Sequence, residues 1–122
     1  MASGSQQRRT WSSGVLLGAA DAVKEILPAP PGTTPGDRTR IVVSYCMVLS
    51  LISAAQAVDI ESNDAAVEIL KLAASFAVGA TVVYDGEKGI GLPANQALVI
   101  KPAAVGPSVW VIAEGYYEKV AP

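Results

Sequence analysis

Ile41–Leu51 reads IVVSYCMVLSL, and the reading of this run decides the fold class. Alternate positions put Ile41, Val43, Tyr45, Met47 and Leu49 on one face and Val42, Ser44, Cys46, Val48 and Ser50 on the other. A two-residue period built from β-branched and aromatic side chains suits a pleated, half-buried surface. The first face is the more apolar one, so it is expected to turn to the core. Between Arg40 and Asp59 there are 18 uncharged residues, the lower limit for a bilayer span. Ser44, Ser50, Ser53 and Gln56 interrupt that stretch, and its first half is β-branched. It reads as two buried strands, and no membrane association is expected.

Downstream, the chain turns around Ser53–Ala55, and Gln56–Glu61 alternates again, with Asp59 and Glu61 opposite Val58 and Ile60. Ser62-Asn63-Asp64 is a turn cluster. Ala65–Ala74 suits either a strand or a helix. Phe76–Tyr84 predicts a strand with Gly79 as a bulge, and Asp85–Gly89 a turn or hairpin tip. Gly91–Asn95 is a loop, Gln96–Lys101 a short strand and Pro102–Pro107 a turn. Ser108–Val120 predicts a long last strand, bent at Gly115, with Trp110 in the core. Upstream, Ala19–Leu27 fits either two helical turns or a strand that stops at Pro28, and Pro28–Arg38 (PAPPGTTPGDR) is a connector. Residues 1–20 are rich in Ser, Gly, Gln and Arg and read as an arm.

The sum is an all-β chain: a β-sandwich or jelly-roll-like domain of seven to eight short strands with an extended N-terminal arm. The expected division is an arm and connector over residues 1–38 and a β-sandwich domain over 39–122.

Composition narrows the function. Of 122 residues, 51% are apolar and only 16% charged. That supplies a core but too little charge to cover a lone monomer, so burial against further copies or a partner is expected. The chain has no histidine and a single cysteine, Cys46. Every His-based triad, every His–Cys dyad and every zinc site of nitrogen or sulfur ligands is thereby removed. Cys46 lies inside the apolar run and reads as a small buried hydrophobe.

The glycine pattern Gly86–Gly91 (GEKGIG) fails as a phosphate loop, because no Ser or Thr follows Lys88. The acidic pairs Asp59/Glu61 and Asp85/Glu87 have no calcium-loop spacing, and aromatics at 6% are too few to line a sugar cleft. The expectation is a non-enzyme with no catalytic residues, no cofactor and no metal.

A net charge of −2 argues against nucleic acid as a partner. Residues 1–40 carry five cationic and three acidic side chains, the remainder four and eight. A basic arm on an acidic body suggests docking, with Arg8, Arg9, Trp11, Leu16 and Leu17 as the partner-binding candidates. Tyr116 and Tyr117 point to opposite faces of a strand, so one can serve a subunit interface. MASGSQQRRTWSS has no apolar run after its arginines, so no signal peptide is expected.

RIVVSY (Arg40–Tyr45), AVDIES (Ala57–Ser62), LAASFAVGATVVYDGEKGIGLPANQALVIKPA (Leu72–Ala103) and VWVIAEGYY (Val109–Tyr117) together resemble the small decoration, or cement, proteins of tailed-bacteriophage heads. The resemblance spans about two-thirds of the chain, and its motifs are mostly small and apolar. It implies a β-sandwich or jelly roll, a homotrimer, and attachment to the major capsid protein on the outside of the virion after synthesis in the host cytoplasm. Members often carry an aromatic after the glycine loop, where this chain has Ile90-Gly91-Leu92. The alternative class is a receptor- or glycan-binding module of a virion appendage.

Overall fold

The computed structural model describes residues 9–31 and 38–120. Among them are eight strands and no helix: β1 (Thr10–Leu17), β2 (Lys24–Leu27), β3 (Thr39–Ser50), β4 (Val58–Ser62), β5 (Glu68–Leu72), β6 (Thr81–Gly91), β7 (Leu98–Pro102) and β8 (Val109–Lys119). They form two four-stranded antiparallel sheets, in the orders β1-β8-β3-β6 and β2-β7-β4-β5. Each strand of the first half therefore lies beside its mirror in the second half: β1 with β8, β2 with β7, β3 with β6, β4 with β5. That is a long hairpin rolled into a sandwich, the jelly-roll arrangement. The ambiguous stretch 65–74 resolves as strand β5.

The connections β1–β2, β3–β4, β5–β6 and β7–β8 all cross between the sheets at one end. Leu17, Ile41, Val43, Val48, Val58, Ile60, Leu98, Ile100, Val109 and Val111 are fully shielded and fill the space between the sheets. Buried carbons at this density supply the main driving force of folding.

Four expectations are corrected. The arm is the first. Thr10–Leu17 is a full edge strand paired along its length with β8, and Lys24–Leu27 pairs with β7, so the sandwich begins near residue 10 rather than 39. The inward alternation Trp11, Ser13, Val15, Leu17 is diluted by serine and glycine, which hides its period.

The second is the inward face of β3. The register of β3 against β8 shifts between Val43 and Tyr45, leaving Ser44 as a bulge opposite the step from Gly115 to Glu114. One extra residue reverses the alternation beyond it. Ile41 and Val43 are buried before the bulge and Cys46, Val48 and Ser50 after it, so Tyr45, Met47 and Leu49 face outward.

Third, Asp85–Gly89 is no hairpin tip: β6 runs through it to Gly91, swollen by a wide bulge opposite Ser44. Gly89 has φ 78°, and a Cβ there would stand 2.5 Å from Val42 Cγ1. The strand itself starts at Thr81, after a turn containing Gly79, rather than at Phe76.

Fourth, Trp110 is on the outer face of β8, while its neighbours Val109 and Val111 are the core residues.

Candidate interaction surface

The two sheets present opposite kinds of outer face. On the second sheet the face is laced with charge: Lys71 pairs with Asp59 at 3.7 Å and Lys101 with Glu61 at 3.2 Å. Partly exposed pairs of this sort add little stability but keep a face polar.

The outer face of the first sheet is built in cross-strand rows. Leu16, Trp110, Leu49 and Thr81 form one row, and Gly14, Ile112, Met47 and Val83 the next. Ser12, Glu114, Tyr45 and Asp85 form a third, where charge returns. Leu16 is 46% exposed, Val83 50%, Ile112 38% and Trp110 37%, so the two apolar rows are open to solvent. Gly14 makes room for the indole of Trp110: a Cβ there would lie 3.2 Å from the ring atom Cζ2. The ring thus lies along the sheet and extends a flat apolar surface across β1.

Leu51 continues that surface past the end of β3, held in line by its N–H donating to the Ser108 carbonyl at 2.9 Å. The adjoining end of the sandwich is equally poor in charge. Its loops, 18–23, 51–57, 73–80 and 103–108, contain one charged residue, Asp21. Val23, Ile52, Val78 and Val105 are exposed there. Asp21 is itself engaged, and the Gly18 N–H it accepts at 2.8 Å holds its carboxyl below the usual carboxylate range.

The proposed arm residues separate. Trp11 is 8% exposed in the core and donates from Nε1 to the Tyr116 carbonyl at 3.3 Å, which removes it as an anchor for a partner. Leu17 is fully buried, while Leu16 stands on the open face. The Arg9 guanidinium lies 4.2 Å from the centre of the Tyr117 ring, a cation–π contact. Arg8 lies outside the described residues. Tyr116 and Tyr117 are half-buried; the Tyr116 hydroxyl donates to the Lys88 carbonyl at 3.2 Å. Among the described residues Leu16 is thus the one arm candidate on the exposed face, and the rows around Trp110 and Ile112 were missed. For Met47 and Leu49 the missed signal is the bulge, which no local pattern announces; for Trp110 and Ile112 it is the unbroken alternation of β8, which buries Val109, Val111 and Ala113 on the other side.

Among the described residues no three carboxylates or thiols gather as a metal site, and no helix is long and apolar enough to cross a membrane. A polar dent opens beside the bulge, lined by Thr10, Ser12, Ser44, Glu114 and Tyr116. Ser44 is committed within it, donating to the Glu114 carbonyl at 3.2 Å.

Burial pushes the Cys46 thiol up to about 12, so it stays protonated at neutral pH. The thiolate is the nucleophile, so the native protein at pH 8 is expected to react with Ellman's reagent at least ~100-fold more slowly than the unfolded chain. Equal rates would place Cys46 at the surface.

The chain matches no protein-family model and no curated protein.

Proposed function

We propose that this chain is a non-catalytic structural protein of a virion, a decoration or cement protein. In this reading it binds the outer surface of a tailed-phage head as an oligomer and stabilises contacts between major capsid subunits. One observation carries the reading: beyond its bulge β3 turns Met47 and Leu49 outward, where they join the exposed Trp110 and Ile112 of β8 in an apolar outer face. A face of this kind gains free energy when covered. The jelly-roll body agrees with what the resemblance implies, although a fold by itself assigns no function.

Cosedimentation with purified phage heads tests the reading. The protein is expected to pellet with expanded heads, to saturate, and to raise the temperature at which the heads rupture. Protein that stays in the supernatant at saturating heads overturns it. Deleting the N-terminal residues is unsuitable as a control, since β1 belongs to the sandwich.

A glycan-binding role is favoured only by the hydroxyl-lined dent with Glu114 at its side. Glycan-array binding without affinity for heads would select it.

A further inference from the structure

We propose that the corner where β1 and β3 begin and β8 ends is a docking site for a carboxylate-rich protein segment. The inference rests on the functional reading above only for the partner's identity, an acidic segment of the shell protein.

Pairing between distant residues builds the corner. The Tyr117 N–H donates to the Arg9 carbonyl at 2.8 Å and the Val120 N–H to the Arg38 carbonyl at 2.9 Å. Thr39 is the register partner of Lys119, and Arg40 that of Glu118. Arg9, Arg38, Arg40 and Lys119 are thus drawn to one end of the first sheet from three separate stretches of sequence. The carboxylate in these pairings is Glu118, and Arg40 engages it, donating from Nε at 2.8 Å and also from Nη2 to the same oxygen. The corner is cationic on a chain whose net charge is −2.

Two features make this corner a seat rather than a scatter of surface charge. Arg9, Thr39, Tyr117, Glu118 and Lys119 line a dent of about 240 Å³. Small-molecule sites hold about 300–1,000 Å³, so the dent suits a single side chain. The Arg9 guanidinium is held 4.2 Å from the centre of the Tyr117 ring, and among the described residues it donates to no acceptor. A guanidinium already positioned on an aromatic ring loses less freedom when its N–H fork takes a carboxylate. The Thr39 hydroxyl and the Lys119 ammonium add donors around the dent.

The charges beyond the corner select the source of the carboxylates. A nucleic-acid duplex asks for cations along a whole face. Here the row Ser12, Glu114, Tyr45 and Asp85 crosses the outer face of the same sheet and sets acids against a phosphate backbone. A short acidic protein segment fits within the corner and avoids that row.

Fluorescence anisotropy of a labelled oligo-glutamate peptide, titrated with the full chain, tests the site, and head binding is measured in parallel. The peptide is expected to bind at about 20 mM salt and to be released by about 300 mM, as screening of exposed charges requires. Arg9→Gln and Lys119→Gln are each expected to weaken it about fivefold, the upper end for an exposed ion pair, with the far-ultraviolet β signal unchanged. Lys119→Arg keeps the wild-type affinity, and so does Lys71→Gln on the second sheet. Binding to heads is expected to weaken with salt and with the same two glutamine substitutions.

No peptide binding at low salt overturns the proposal, as does an equal loss from Lys71→Gln or tighter binding of a DNA duplex than of the peptide. Heads that bind wild type, Arg9→Gln and Lys119→Gln alike mean that the corner does not grip the shell: this inference falls and the functional reading stands. Peptide bound through the corner while heads are ignored supports the site and overturns the functional reading.

Discussion

Trp11→Ala is expected to lower the free energy of unfolding by about 3–5 kcal/mol, a large part of the stability of a domain this size. The indole sits 8% exposed over the inner side of Gly115, its register partner, and its ring nitrogen satisfies the Tyr116 carbonyl. Removing it opens a cavity beneath β1, takes away that hydrogen bond and loosens the edge strand that covers β8. Urea denaturation followed by tryptophan fluorescence and circular dichroism measures the loss, with Trp110 remaining as the fluorophore. A loss below about 1 kcal/mol would mean that Thr10–Leu17 is an appendage after all, since surface changes fall in that range. Leu16→Ala is the companion: its side chain is on the open face, so the monomer's stability is expected to change by no more than about 0.5 kcal/mol.

Gly115→Val is expected to cost about 3 kcal/mol or more, enough to prevent folding in a marginal background. A Cβ at this position would stand 1.9 Å from the Val42 carbonyl oxygen and 3.0 Å from the Trp11 ring. The obstacle is backbone, which a rotamer change cannot relieve. The glycine lets β3 approach β8 where Ser44 bulges out, so the substitution strikes the feature that sets the orientation of both strands. Gly79→Ala separates this effect from backbone preference. Gly79 has φ 82° and open space around it, so only the left-handed conformation is taxed, at about 1–2 kcal/mol. Thermal unfolding of the two variants ranks them; equal midpoints would show that the close approach of β3 and β8 is unimportant.

These two residues also mark where sequence reading stops. Gly115 reads as a bend, and it sits at one, but the bulge opposite it, Ser44, is 71 positions earlier in the chain. No window along β3 reveals that a bulge there exchanges its faces. Trp110 reads as core because large aromatics are most often shielded, although β8 alternates without a break and sends Val109, Val111 and Ala113 inward. Trp11 was misplaced by composition: serine and glycine around it resemble a loose arm, whereas an edge strand tolerates them because only one side is paired. The candidate surface was legible only as a shortage of charge. Its location required knowing which side of the first sheet faces out.

The sequence by itself determined that the chain is all-β, with strands close to β3, β4, β7 and β8, and that it lacks histidine chemistry. Those follow from period, turn residues and composition, which act over a few positions. The tertiary structure alone decided that β1 and β2 belong to the sandwich, that β6 runs through the glycine loop, and which side of the IVVSYCMVLSL strand is buried. Each depends on pairing between distant residues, and a single unpaired residue in one strand reverses every side chain beyond it.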